Sequence, residues 1–252
     1  RLNTSQMVIK ILINSCYGYM GNKHAPIGDD DIASSVTLTG QAVIKYSNEL
    51  IKEFIKKEIP DISDSELEGC IIYNDTDSSY VSITPLVNKG LKFLDGEDIH
   101  TDTFDKIQEI EDHLNQGVGE WAKKALLSKD NRFIFKRECI ADVGVFLQKK
   151  RYVMHILDDE GIKENKFKYT GVEVVRTTMP NAIKPYAKKI IETMLTTQSL
   201  SKTNELLNET YEIFKGLDPQ ELAFVMGVKG YEKYATQCNQ FTTTKGMPIH
   251  VK

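Results

Sequence analysis

The sequence predicts an α+β fold, an antiparallel sheet with helices packed on it followed by a mostly helical tail. Three observations carry this reading. The opening segments repeat their apolar residues with helical spacing, a hairpin pattern surrounds Asp75, and alternating segments fill the middle before helical spacing returns at Pro180. From Gln6 to Tyr19, Met7, Ile11 and Ser15 fall on one side of a helix while Lys10, Asn14 and Tyr17 fall on another. Gly18 and Gly21 are expected to end that helix, and Asp31 to cap a second, long one reaching about Lys57. Between Gly69 and Ser82, Ile71, Ile72 and Tyr73 precede a short polar tip and Tyr80, Val81 and Ile83 follow it, the pattern of a β-hairpin.

An amphipathic helix is then predicted over about Thr103 to Leu127, followed by strands at Phe133 to Lys136, Val143 to Leu147, Tyr152 to Leu157 and Tyr169 to Val175. Helical segments return at Asn181 to Leu195, Thr203 to Phe214 and Pro219 to Val225, reading as a second unit. The 252 residues suggest one or two domains, and there is no internal repeat or low-complexity stretch.

Composition narrows the function classes. With 40% hydrophobic residues and the longest apolar runs as short as Ile11-Leu12-Ile13, the chain reads as a soluble globular protein with no bilayer span and no secretory leader. Cys16, Cys70, Cys139 and Cys238 lie far apart with no C-x-x-C pair, so they read as reduced cysteines rather than a zinc or redox motif. The formal net charge of −4 hides a segregation. No acid occurs from Arg1 to Gly28, and Arg132, Lys136, Arg137, Lys149, Lys150 and Arg151 outnumber Glu138 and Asp142 up to Tyr152, whereas acids gather between Glu58 and Asp112. Clustered bases of that kind suit phosphate neutralisation.

The sharpest chemical feature is Asp75-Thr76-Asp77-Ser78. On an extended segment, alternation would turn the carboxylates of Asp75 and Asp77 toward one face. Two such hard oxygen donors call for a cation, and Mg²⁺ or Mn²⁺ shared with substrate phosphates makes phosphoryl transfer the natural reaction. A plain polar turn is the alternative at these residues. An EF-hand is not, because Tyr80 stands where its glycine belongs and Leu86 where its glutamate belongs. On the first helix, Lys10, Asn14 and Tyr17 would present an ammonium, an amide and an aromatic ring to one space, or else form a solvated face.

Together these segments resemble family B DNA polymerases. Lys10-Ile-Leu-Ile-Asn14-Ser15-Cys-Tyr17-Gly18 is similar to that family's K-x-x-x-N-S-x-Y-G motif, and Tyr73-Asn-Asp75-Thr76-Asp77-Ser78 to its Y-x-D-T-D-S motif. A third element, Lys149-Lys150-Arg151-Tyr152, resembles the K-K-R-Y segment, and the opening, this element and Lys245-Gly-Met-Pro-Ile-His resemble the T-even bacteriophage replicative branch. A reverse transcriptase palm would prefer a Y-x-D-D tip, and the intervening Thr76 disfavours it.

The resemblance implies a DNA-directed DNA polymerase adding a dNTP to a primer 3′ end by two-metal phosphoryl transfer with Mg²⁺ or Mn²⁺. Residues 1–57 would be the second half of the fingers helices and the return into the palm, 58–178 the palm, and 179–252 a partial helical thumb. Asp77 would be the more direct metal ligand and Asp75 the supporting one, with Thr76 and Ser78 beside them. Lys10 and Asn14 would contact the triphosphate and Tyr17 the minor groove of the nascent pair. Lys149, Lys150, Arg151 and Tyr152 would grip the primer-template, and Glu138 resembles a family carboxylate near the metals, with an ion pair to Arg137 or Lys136 as its alternative.

Two departures stand out. Asn74 occupies a position where many members have glycine, which the left-handed tolerance of Asn would accommodate. The family's other metal-binding aspartate, in D-x-x-S-L-Y-P, has no counterpart here. The chain therefore reads as a C-terminal portion, a split subunit or a fragment, whose implied partners are primer-template DNA, dNTP, an N-terminal portion with exonuclease and the other aspartate, and a sliding clamp. Its first helix would pack against the missing half of the fingers, and a phage origin would place it in the host cytoplasm. A non-catalytic DNA-binding or assembly subunit retaining the palm shape is the alternative from another class.

Overall fold

In a computed structural model, which describes residues 2–26, 28–130 and 132–224, the chain divides into two units, Arg1–Glu138 and Cys139–Lys252. The expected α+β class holds, with small antiparallel sheets rather than one large one. The segment containing Lys245, the final residues of the third tail helix from Val225, and Cys238 lie outside the described residues.

The first unit begins with helices α1 (Leu2–Met20) and α2 (Asp30–Glu58). Gly18 lies inside α1, and the helix stops only at Gly21, whose backbone comes close to Ala33 of α2. The cap of α2 is Asp29 rather than Asp31. Its carboxylate accepts from the amides of Asp31 (2.9 Å) and Ile32 (3.1 Å), so Asp31 is the recipient of the cap and occupies the first turn. A short helix α3 (Asp64–Gly69), closed by a Ser63–Glu66 capping box, leads into the hairpin β1 (Ile71–Asp75) and β2 (Ser78–Val81). Then follow α4 (Thr84–Asn88), the two-residue strands β3 (Leu94–Asp95) and β4 (Asp98–Ile99), and the long α5 (Thr101–Ala125).

The core of this unit is the seam between α2 and α5. Val43, Leu50, Ile51, Phe54 and Ile55 meet Ile110, Leu114 and Val118 there, each at most 8% exposed. Gly117 of α5 allows the close approach, since a Cβ at that position would sit 2.6 Å from a Leu50 methyl. Ile71, Val81 and Ile83 seat the base of the hairpin on the same core.

The strand expected at Phe133 to Lys136 is absent. Those residues are irregular because an asparagine side chain takes the place of a neighbouring strand: Asn115 of α5 accepts from the Phe135 amide (2.7 Å) and donates to its carbonyl (2.9 Å). The Arg137 amide donates to Glu111 at 2.9 Å, so the segment runs along α5, and Glu138 lies on no strand.

The second unit is a meander of β5 (Cys139–Gln148), β6 (Arg151–Asp159) and β7 (Ile162–Thr170), then a 3₁₀ turn (Glu173–Val175), α6 (Lys184–Thr197), α7 (Leu200–Lys215) and α8 (Pro219–Leu222). The strand expected over Tyr169 to Val175 therefore ends at Thr170, and Val172 and Val174 instead join Val153 and Leu195 in the core. Central β6 is buried along nearly its whole length. His155 ties the three strands, with Asp142 of β5 at 2.8 Å from Nδ1 and Asn165 of β7 at 2.8 Å from Nε2. Tyr169 donates to Glu192 of α6 at 2.6 Å, and burial, with that bond second, pushes its phenol above the usual tyrosine range. Among the described residues no helix is long and apolar enough to cross a membrane. Cys16 and Cys70 are free thiols.

Two outcomes follow. Asp29→Ala should cost about 1 kcal/mol in urea unfolding, the loss of a helix cap, whereas Asp31→Ala should cost no more than about half of that, since only a first-turn charge is removed. Equal losses would return the cap to Asp31. Because the Tyr169 phenol is held protonated in the folded state, the stability it contributes is fully present below the ordinary tyrosine value near 10 and is lost as pH rises above it. Tyr169→Phe should flatten that alkaline loss in thermal unfolding followed between about pH 9 and 11.

Candidate active site

Strand β1 ends at Asp75 and β2 begins at Ser78, and these two residues are direct partners, which leaves Thr76 and Asp77 as the turn. The extended segment expected across both aspartates is thus broken at Thr76. The Asp77 amide donates to the Asp75 carbonyl at 2.7 Å, the i to i+2 bond of a γ-turn, with Thr76 at φ +57°. That form is rare and strained, the more so for a β-branched residue. The left-handed conformation thus falls on Thr76 and not on Asn74, which lies within β1.

The chain doubles back rather than alternates, and the two aspartates stand on either side of Thr76 in a tight turn. Asp75 is half-buried and Asp77 exposed. Thr76 donates its hydroxyl to Oδ1 of Asp75 (3.1 Å), and Ser78 donates to the Asp75 carbonyl (3.1 Å). Both aspartates offer hard oxygen donors at the surface, which suits a divalent ion completed by phosphates or further ligands. Among the described residues no cluster of three or more His, Cys, Asp or Glu is arranged to hold a metal.

Lys10, Asn14 and Tyr17 stand on α1, all three exposed. The Tyr17 hydroxyl reaches the Ala33 carbonyl at 3.4 Å, and the hairpin meets the same helix α2 at Asn48. Those two anchor points are roughly 22 Å apart along α2. The apolar residues around Lys10 on α1, from Met7 to Ile13, are 51–66% exposed.

Family models and relatives account for this combination. The family described as DNA polymerase family B matches residues 1–93, a span holding both the α1 residues and the hairpin. The DNA-directed DNA polymerase of Escherichia phage RB69 is 30% identical over 76% of this chain and 22% of its own length, and that of Enterobacteria phage T4 is 26% identical over 92% and 27%. A DNA polymerase of Pyrococcus glycovorans is 26% identical over 84% and 22%. The chain belongs to DNA polymerase family B. It spans about a quarter of the length of the two phage relatives.

Of the remaining candidate residues of this family B chain, Glu138 closes the first unit and the others lie in the second, where the structure divides one motif into three environments. Lys149 and Lys150 form the β5–β6 turn rather than a strand, with Lys150 at φ +59°. Arg151 turns inward: its Nε donates to the Gly171 carbonyl at 3.2 Å and its guanidinium pairs with Glu173. Tyr152 is 5% exposed and stacks on Phe146 with centroids 5.2 Å apart, so it is a core residue of this unit. Glu138 follows Arg137 in the irregular segment before β5, and the Arg137 guanidinium lies 5.5 Å from the Phe104 ring centre.

Three residues that pattern reading overlooked shape these sites. Asn48 and Ser79 touch across α2 and β2, a contact between residues far apart in sequence that no local spacing reveals. Gly171 was open to detection as a glycine at the end of a strand. It adopts φ +62°, and a Cβ there would lie 2.0 Å from the Lys150 carbonyl oxygen. Gly171→Ala should therefore displace the Lys149–Lys150 turn and cost at least about 2 kcal/mol, combining left-handed strain with the clash. Urea unfolding of the variant with an unchanged midpoint would contradict that packing.

Proposed function

We propose that this chain forms part of a DNA-directed DNA polymerase, acting with an upstream polypeptide that carries the other metal-binding aspartate and the exonuclease. The observation that carries the reading is that one family-matched segment bears both an exposed Lys10–Asn14–Tyr17 face and a turn with paired carboxylates, each anchored on α2. Residues 1–57 would belong to the fingers and the return to the palm, 58–178 to the palm and 179–252 to the thumb.

In this reading the primer 3′-hydroxyl oxygen forms the new bond to the α-phosphorus as the bond to pyrophosphate breaks. Lys10 supplies a compact positive charge to the leaving phosphates, Asn14 orients the triphosphate, and the Tyr17 ring lies beside the nascent pair. Asp77 and Asp75 would hold Mg²⁺ or Mn²⁺, which when bound supplies Lewis acidity to the phosphoryl oxygens and lowers the barrier to hydroxyl attack. Lys149 and Lys150 would contact backbone phosphates from their turn, while Arg151, held by Gly171 and Glu173, stabilises that turn. Tyr152 would act from beneath by fixing the turn's base. An upstream polypeptide would cover the exposed apolar residues of α1, since such a surface is rarely left bare.

Labelled primer-template, dNTPs and Mg²⁺ test this directly. The expected result is extension when the chain is mixed with an upstream polypeptide carrying the missing aspartate, and none with the chain alone. Asp77→Ala should abolish extension in the mixture with duplex affinity changed by less than about twofold, the mark of a group used in the reaction rather than in binding. Duplex binding without extension in any mixture would favour a DNA-binding or assembly subunit. Lys150→Ala should weaken duplex binding at all sequences and reduce the salt slope by about 0.9, one phosphate contact. An unchanged slope would remove Lys150 from the phosphate contacts.

A further inference from the structure

The tip of the hairpin is held to α2 by side-chain hydrogen bonds rather than by apolar contact. Asn74 of β1 and Ser79 of β2 are direct cross-strand partners and so share a face, while the next pair, Asp75 and Ser78, faces the other way. Ser79 Oγ lies 2.8 Å from the Asn74 carboxamide oxygen and 3.0 Å from that of Asn48 in α2. A hydroxyl has one proton, so one carboxamide accepts it and the other is turned to present its NH₂ to Oγ. The result is an Asn–Ser–Asn bridge spanning both strands and the helix.

Nothing apolar does this at the tip. The apolar seats of the hairpin are Ile71, Val81 and Ile83 at its base, and the opposite face carries the Tyr73–Tyr80 ring pair, 5.5 Å between centroids. A one-residue slip of either strand would exchange the two faces and move Asp75 to the helix side. The bridge opposes that slip at the pair immediately preceding the aspartates. It also bears on the strained Thr76 turn, which persists only if the strands on either side are fixed.

We infer that Asn48, Ser79 and Asn74 are positioning residues that hold the Asp75–Asp77 turn in its cation-binding arrangement. This rests on the proposed metal role of the two aspartates. Asn74, the departure from the glycine common in the family, thereby gains a use: its side chain supplies one end of the bridge.

The test uses the 252-residue chain itself. Residue-resolved hydrogen exchange reports the turn through the Asp77 amide, and Mn²⁺ titration reports the cation through paramagnetic broadening of the hairpin amides. Ser79→Ala should speed Asp77 exchange about fivefold, the effect of one ordinary hydrogen bond, and raise the Mn²⁺ concentration for half-maximal broadening by a similar factor. Ser79→Thr, which keeps the hydroxyl, should restore both. Asn74→Gly provides a second variant that keeps Ser79 bound to Asn48, with a smaller change in the same direction. Unchanged exchange in Ser79→Ala overturns the bridge, and faster exchange with an unchanged Mn²⁺ requirement overturns its positioning role. If the unmodified chain shows no Mn²⁺ broadening at Asp75 and Asp77, the metal reading itself fails, while the exchange result still decides whether the bridge holds the turn.

Discussion

The packing of α2 against α5 is the constraint on which the first unit depends. Each Leu, Ile or Phe buried in that seam contributes about 1.5–3 kcal/mol, against about 1 kcal/mol for a typical hydrogen bond, so the apolar seam sets where the helices lie and the polar contacts only refine what is attached to them. Gly117 permits the approach and Leu50 fills the space it leaves. The candidate residues of this unit are then referenced to α2. The α1 helix meets it at Ala33, the hairpin at Asn48, and α3 through the Lys52–Glu68 pair at 2.7 Å, whose hydrogen bond pushes the lysine above its ordinary value. A helix shared by the Lys10–Asn14–Tyr17 face and the carboxylate turn fixes their anchor points about 22 Å apart along its length.

In the second unit the corresponding constraint is β6, buried along its length between β5 and β7. A strand in that position can expose only its ends, and the Lys149-Lys150-Arg151-Tyr152 run straddles one of them. The first two residues fall on the turn and stay in solvent, the third reaches the neighbouring Gly171–Glu173 segment, and the fourth is already core. Four consecutive residues of one motif therefore have different physical duties, and burial decides among them more strongly than residue type.

The elements legible in the sequence were those with long periodic patterns. The two opening helices, the hairpin, the α5 helix, the central strands and the tail helices α6 and α7 all occur near their expected places. What pattern reading missed were exchanges of one hydrogen-bonding partner for another. Phe133 to Lys136 has strand composition, yet Asn115 serves the Phe135 backbone and no strand forms. Asp29 and Asp31 are equally good caps by type, and only the path of the chain into α2 selects Asp29. Alternation across Asp75 and Asp77 presumed an extended backbone, which a left-handed residue at Thr76 interrupts. The residues singled out for chemistry come from contiguous motifs, whereas Asn48, Ser79 and Gly171, which pack beside those motifs, are not singled out, because their contacts are long-range.

The turn at Thr76 shows how its parts divide the work. Within it the Asp75 carbonyl takes both local donors, the Asp77 amide and the Ser78 hydroxyl, so backbone rather than carboxylate oxygen satisfies the turn. The Thr76 hydroxyl engages only Oδ1 of Asp75, and the Asn74–Ser79 pair occupies the opposite face. A glycine at residue 76 would relieve the left-handed strain but would remove the hydroxyl and widen the conformations open to the tip. Threonine costs strain and narrows them. Under the proposed cation role of the two aspartates, a tip with few alternatives loses less conformational freedom on binding, and that economy is consistent with a strained residue at the centre of the turn.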